Sequence, residues 1–274
     1  MTFQTYETSE ASGEPVVLYD FSLGTTHWRY TSADRSITWN GNAYAPLAIS
    51  RTAPIQSSDI RQQMMTVTVP RNAPVAQPFV EYAPGADMLL IVTGLHYNDT
   101  DQQGVVDWVG RVISPEWKNS QCDLKCEPVY ASVQTMGLRR RWGPNCSHVL
   151  YGPACTLSTA AFKVTASIDS VSGAAITSSG FIPPAGLNFL GGFVEWDSGL
   201  GYLERRTING VVGTTLTLAY GSSRLAPGLS VNAYPGCDRS LNTCNLFGNS
   251  LNYGGEPFIP IKNPMDGSLA NPVF

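Results

Sequence analysis

Gln121-Cys-Asp-Leu-Lys-Cys-Glu127 alternates without exception: Cys122, Leu124 and Cys126 fall on one side of an extended chain, Asp123, Lys125 and Glu127 on the other. Side chains of a strand point alternately to opposite faces, so this period of two marks a strand with one face against a core. The same geometry bears on the two thiols. Four residues of strand separate Cys122 from Cys126 by about 13 Å at ~3.3 Å per residue, too far to share a ligand set. Core packing on the apolar face accounts for both.

Upstream of this strand the chain reads as more of the same. Residues 14–24 form an apolar run and 26–31 follow after a short turn. Ile37-Thr-Trp39 and Ala43-Tyr44 then flank Asn40-Gly41, the pair that best tolerates the positive φ angles of a type I′ hairpin turn. Residues 64–69, 88–97 and 105–113 are further strand candidates, the last two joined by the polar connector 98–104. Pro128 breaks the quoted strand, and 129–141 is predicted as a short helix ending in Arg139-Arg140-Arg141.

The composition shifts after this point, which sets a domain boundary near 140: a β-rich domain over 1–140 and a second domain over 141–274. Within the second, a Thr-, Ser-, Gly- and Val-rich insertion at about 156–235 carries strands predicted at 162–168, 189–196, 202–208, 214–219 and 229–234. Asp238 is predicted to cap a short helix over 239–247 that Gly248 stops. The fold class is all-β with a few short helices: a barrel- or sandwich-like domain followed by a cysteine-clamped, β-rich one.

Composition narrows the function. Of 274 residues 43% are apolar, enough for a substantial core, and only 14% are charged, against a usual ~25%. Apolar surface left uncovered by charge suits partner subunits. The net charge of −4 provides no basic field for nucleic acid or acidic membranes. The N-terminal residues lack a basic region followed by an apolar one, and the run Met88–Val92 is far too short to span a bilayer. A protein that folds in the cytoplasm is expected, where disulfides seldom persist and thiolate metal sites do. Hydrolase, zinc-protease and nucleotide-binding signatures are missing, and carboxylates such as Asp20, Glu116, Glu195 and Asp197 are scattered, so no enzyme is expected beyond a redox role.

The remaining cysteines form two pairs, Cys146-x8-Cys155 and Cys237-x6-Cys244. Soft thiolates in fours take zinc or an iron–sulfur cluster. Structural zinc favours tight C-x2–4-C knuckles, which neither pair is, whereas a cubane is wider and accepts ligands from separated loops. The spacing, together with the resemblance given below, favours 4Fe–4S over zinc, with buried apolar cysteines or disulfides as the plain alternatives. Cys237 sits just before the predicted helix, where free N–H groups favour a thiolate. His148, inside the first pair, suits a supporting hydrogen bond better than ligation; His27 and His96 lie on strands and are expected to be structural. Arg139-Arg140-Arg141 either offsets thiolate charge or is a solvated helix end.

Residues 234–255, Tyr-Pro-Gly-Cys-Asp-Arg-Ser-Leu-Asn-Thr-Cys-Asn-Leu-Phe-Gly-Asn-Ser-Leu-Asn-Tyr-Gly-Gly, preceded by Cys146-x8-Cys155, resemble a family of bacteriophage tail-hub (minor tail) proteins that includes the hub of gene transfer agents. The two cysteine spacings are also similar to those of the minor tail protein L of phage lambda, and Tyr19-Asp-Phe21 and Trp39-x-Gly41-x-x-Tyr44 fit the family layout. The resemblance implies a structural subunit of a tail tip or baseplate hub, made in the host cytoplasm and built into the virion as a homotrimer. It implies an iron–sulfur cluster on Cys146, Cys155, Cys237 and Cys244, and nothing for Cys122 or Cys126. The partners it implies are a distal tail protein, a central fibre or spike protein and the tape-measure protein, with no sequence-specific nucleic acid and no membrane span. A soluble iron–sulfur redox protein or electron carrier is the alternative from another class; a secreted disulfide-stapled β protein is the third.

Overall fold

A computed structural model describes residues 3–9, 11–53, 55, 57, 63–81, 83–134 and 143–259. The chain divides into two compact units, residues 1–136 with 197–204, and residues 137–196 with 205–274. The fold is all-β with a few short helices.

After a short helix α1 (Phe3–Glu7), the first unit runs through β1 (Pro15–Leu23), β2 (Thr26–Thr31), β3 (Ile37–Trp39), β4 (Asn42–Pro46), β5 (Ser50–Arg51), β6 (Met65–Pro70), β7 (Met88–His96), β8 (Val105–Trp117) and β9 (Gln121–Pro128). Among the described residues these form one nine-stranded sheet in the order β3-β4-β2-β1-β7-β8-β9-β6-β5, open at both ends as a half-barrel. The β3–β4 hairpin turns on Asn40 and Gly41 at φ 47° and 76°, the pair of positive angles a type I′ turn requires.

The quoted strand is β9. It pairs antiparallel with β6 so that Cys122, Leu124 and Cys126 stand opposite Val69, Val67 and Met65, and all six are buried. This ladder is one wall of a core completed by Tyr19, Phe21 and Leu23 of β1 and Met88, Leu90 and Val92 of β7. Each such Leu or Met contributes about 1.5–3 kcal/mol on leaving water. The polar face of β9 differs from expectation in one respect. Asp123 is buried, because Thr68 Oγ1 (2.8 Å) and Lys118 Nζ (2.6 Å) both donate to its carboxylate. Those two donors, the Lys118 ammonium first, hold the carboxyl below the usual carboxylate range.

β8 runs four residues past its predicted end and through Pro115. Its pairing with β7 ends at Met88↔Val112, and a register shift after Val112 carries residues 114–117 on against β9 alone. The missing N–H of Pro115 therefore interrupts no ladder on the β7 side. Residues 197–204 belong with this unit through local contacts: Thr26 Oγ1 donates to Leu200 O (2.6 Å), and Leu200 and Tyr202 pack on the same core. Beyond β9, residues Val129–Gln134 form a 3-10 helix; the rest of the predicted helix, with Arg139, Arg140 and Arg141, lies outside the described residues.

The second unit holds α2 (Thr159–Phe162), α3 (Leu241–Leu246) and, apart from Asp197, Leu203 and Glu204, a seven-stranded sheet, the strands being β10 (Val164–Ser167), β11 (Ser170–Ser172), β12 (Ala175–Thr177), β13 (Phe193–Asp197), β14 (Leu203–Val212), β15 (Thr215–Leu218) and β16 (Ser230–Tyr234). Their order is β10-β16-β13-β14-β15-β12-β11 among the described residues. Trp196, Phe181, Phe189, Ile168, Ile176, Ile208 and Leu216 form its core. All seven strands lie between Cys155 and Cys237 in sequence, so the two cysteine pairs bracket the sheet.

Candidate metal centre

Cys146, Cys155, Cys237 and Cys244 all line one cavity of about 250 Å³ in the second unit, together with His148, Tyr151, Phe193, Arg239, Phe247 and Asn252. The chain is brought back on itself there by backbone pairing: Cys146 N–H donates to Arg239 O (2.9 Å), and Glu256 N–H to Gly143 O (2.8 Å). Tyr253 completes the joint, its hydroxyl donating to Pro144 O (2.5 Å) and to Arg239 O (3.1 Å).

Local sequence explains each arm. In the first, Gly152 N–H donates to Val149 O, and Cys155 and Thr156 N–H both donate to Gly152 O (each 3.0 Å), a compact double turn with Tyr151 and Thr156 at φ 59°. The second arm corrects the predicted cap. Arg239 stands at φ 66°, which delays the helix, so Ser240 rather than Asp238 is the N-cap, its hydroxyl accepting from Thr243 N–H (3.1 Å). Asp238 instead accepts from Ser240 N–H (2.9 Å) in a turn before the helix. At the other end Gly248, at φ 69°, stops α3 as expected. Gly248 N–H reaches Asn245 O (2.9 Å) and Asn249 N–H reaches Cys244 O (3.0 Å), the paired bonds of a Schellman motif. Tyr151, Thr156 and Arg239 are three non-glycine residues in the left-handed region, each a cost of order 1–3 kcal/mol that persists only where the surroundings over-determine it.

The sulfurs have polar partners of their own. Gly254 N–H donates to Cys146 Sγ (3.3 Å), Arg239 N–H to Cys237 Sγ (3.3 Å) and Asn249 Nδ2 to Cys155 Sγ (3.7 Å), while Cys244 Sγ donates to Asn249 O (3.2 Å). Cys155 and Cys244 are buried, Cys146 and Cys237 half-buried. The helix dipole invoked for Cys237 is replaced by one identifiable amide, that of Arg239. Its pull on the thiol is outweighed by burial, which leaves Cys237 above its ordinary range; burial and then the neighbouring sulfurs do the same to Cys244.

Around the sulfurs the wall is aromatic. Tyr151 meets Phe162, Phe193, Tyr234 and Phe247 with ring centroids 6.1–6.5 Å apart, and Phe193 stacks on Tyr234 at 4.4 Å. His148 Nδ1 donates to Asn252 O (3.1 Å), a backbone partner and not one of the sulfurs. Its ring lies flat on Gly254, where a Cβ would approach Nε2 to 2.5 Å. Sequence reasoning missed Gly254, Tyr151 and Asn249. Of these Asn249 had a signal, since a helix stopped by Gly248 places the next residue beside the last turn.

None of the six cysteines is joined in a disulfide. Cys122 and Cys126 stay in the first unit's core, where burial pushes their thiols up to about 11 and about 12. His27 Nδ1 pairs with Asp20 Oδ1 (3.0 Å) and His96 Nε2 with Glu7 Oε2 (2.9 Å), both structural contacts. Among the described residues, no group of three or more His, Cys, Asp or Glu side chains is placed so that it could hold a metal ion. No helix of the described residues is long and apolar enough to cross a membrane.

Comparison with known proteins follows the same division of the chain. Residues 19–158, with the first cysteine pair, match the family described as baseplate hub protein, N-terminal attachment domain. Residues 187–263, with the second pair, match the phage conserved hypothetical protein BR0599 family. An uncharacterized protein of Xylella fastidiosa (strain 9a5c) is 27% identical over 179 residues, which are 60% of this chain and 37% of that protein's length. Among solved structures, a chain in the virion of a native gene transfer agent (GTA) particle shares the fold at a TM-score of 0.76 and 15% identity, over 99% of this chain and 98% of that one. The first of these matches takes in half of the sequence, from the middle of β1 through the Cys146–Cys155 loop, and by it the chain belongs to the phage baseplate hub protein family.

Proposed function

We propose that this chain is a structural subunit of a phage tail tip that adapts the tail tube to the central fibre or spike and carries an iron–sulfur cluster on Cys146, Cys155, Cys237 and Cys244. The observation that carries the structural reading is the end-to-end correspondence of fold with a chain of a gene transfer agent virion, in a member of the baseplate hub family. The sheet surface supports it. Leu89, Ile91, Val106, Val109 and Ile113 are exposed on the adjacent strands β7 and β8, apolar area of the kind partner subunits cover. Assembly as a homotrimer, with a distal tail protein, a central fibre or spike protein and the tape-measure protein as neighbours, completes the proposal.

The cluster reading rests on the donor set. Four sulfurs on the wall of one cavity, three of them facing N–H groups, suit a soft metal centre. A tetrahedral zinc ion would need its thiolates about 3.8 Å apart, given Zn–S bonds of ~2.3 Å. The C-x8-C and C-x6-C spacings, with ligands arriving from separate loops, favour the wider cluster. Bound there, the cluster would supply a covalent brace between segments that flank the second sheet. The residues would hold the thiols in place, the aromatic side chains line part of the wall, and no substrate step is assigned.

Two measurements test the proposal. Metal and acid-labile sulfide analysis of protein purified without oxygen is expected to find iron and sulfide together; zinc without sulfide refutes the cluster. Phage deleted for the gene is expected to lack complete tips, with the purified chain restoring them. Normal tips in its absence, with a chain that stays monomeric and never joins tails, would overturn the structural role.

A further inference from the structure

We propose that Asn249 is the positioning residue of the four-cysteine cavity, holding Cys155 of the first pair and Cys244 of the second in one fixed arrangement. The inference deepens the metal-centre reading and rests on it for its effect on bound metal. Its geometric part stands on the chain alone.

Three parts of one residue make the link. The side-chain Nδ2 donates to Cys155 O (2.5 Å) and reaches Cys155 Sγ (3.7 Å). The backbone carbonyl accepts from Cys244 Sγ (3.2 Å), and the backbone N–H donates to Cys244 O (3.0 Å) as the last bond of the Schellman motif. The direction of the side-chain amide is not free. Asn252 Nδ2 donates to Asn249 Oδ1 (2.8 Å) and also to Thr156 Oγ1 (2.9 Å), which leaves Nδ2 as the end that must face Cys155.

Asn249 is 7% exposed. A buried amide is costly unless its bonds are made, so a residue chosen to fill space would be apolar. Cys146 and Cys237 receive their N–H donors from backbone, from Gly254 and Arg239, and need no particular side chain for it. Cys155 receives its donor from a side chain, which makes Asn249 a single point at which both pairs can be disturbed by substitution. Asn249→Asp keeps the shape, removes the donor, and sets a carboxylate oxygen against Cys155 O and Sγ. Asn249→Ala removes the link and leaves Cys155 O unpaired.

The full chain is prepared anaerobically, and a portion is stripped of metal. Each cysteine's alkylation rate is then followed by mass spectrometry in wild type, Asn249→Asp and Asn249→Ala. In the stripped protein both variants are expected to speed alkylation of Cys155 and Cys244 about tenfold, with Cys146 and Cys237 unchanged. In the loaded protein they are expected to lower iron affinity by roughly tenfold or more, and to shift the reduction potential of the remaining metal downward as an N–H···S contact is lost. Equal acceleration at all four thiols together with a lower Tm, or no change at any, overturns the proposal. Loaded variants that keep wild-type affinity and potential overturn it too, while the metal-centre reading survives. If wild type holds no iron or sulfide, that reading fails, and the alkylation pattern alone decides the role of Asn249. Should neither Asn249 variant fold, Asn252→Ala, which releases Oδ1 without touching a cysteine, is expected to produce the same selective exposure at smaller size; uniform exposure there counts against the proposal.

Discussion

Cys122 and Cys126 share a side chain with the four cysteines of the second unit and nothing else. The first two sit on a strand whose register turns both sulfurs into the core opposite Val69 and Met65, and burial keeps them protonated. The other four sit on turns and a helix end, each with a polar partner, around one cavity. Backbone geometry, and not the count of thiols, separates cysteines packed in a core from cysteines gathered at one cavity. A strand holds i and i+4 apart, while turns with left-handed residues can point several sulfurs at one place.

The largest test of that contrast is substitution. Cys237→Ser is expected to remove iron and sulfide almost wholly and to lower the melting temperature of the second unit, since metal binding is coupled to folding. Cys122→Ser is expected to leave metal content at the wild-type level; comparable loss in both would break the distinction. Next in size, Leu124→Ala, between the two core thiols, is expected to cost about 2–5 kcal/mol in denaturant unfolding with metal content unchanged.

Gly254→Ala tests the other side. The new methyl meets the His148 ring, so the variant is expected to lose about 1–3 kcal/mol from the second unit, and His148→Ala in the same chain should return part of it in a double-mutant cycle. The smallest effect belongs to the polar face of β9. Asp123 has a lowered carboxyl pKa in the folded chain, so its contribution is fully present above the unfolded value of ~3.9 and disappears as pH falls through the folded value. Asp123→Asn is therefore expected to be about 1 kcal/mol less stable than wild type at neutral pH, the gap closing in acid; a gap constant with pH would deny the ion pair its part.

Features set by local chemistry were legible in the sequence. The alternation of 121–127 predicted the core face of Cys122, Leu124 and Cys126, Asn40-Gly41 predicted the hairpin turn, and Gly248 predicted the helix stop. The misreadings have physical causes. Asp238 and Ser240 are equally good caps two residues apart, and the choice fell to Arg239, whose left-handed backbone no composition rule anticipates. The strand expected over 105–113 runs on to 117, because its partner β7 ends at Met88 and leaves Pro115 no ladder to interrupt on that side. β11 and β12 are three residues each and take their strand character from neighbours across the sheet. At the centre, the cysteines were visible as pairs, whereas the tie through Asn249 and the stacking of His148 on Gly254 are contacts between segments about 100 residues apart, beyond the reach of any local pattern.

The backbone bond from Cys146 N–H to Arg239 O has a consequence for biosynthesis. Both its ends, and all four thiols, exist only after the roughly 80 residues between Cys155 and Cys237 have been translated. At about 5–20 residues per second, the Cys146–Cys155 loop waits on the order of 4–16 s for its counterpart. β10 to β15 are complete by residue 218 and have most of that interval to pair, while β16 and the Cys237–Cys244 segment follow within 26 residues. The order of synthesis thus makes the sheet the scaffold and the cysteine joint the final lock.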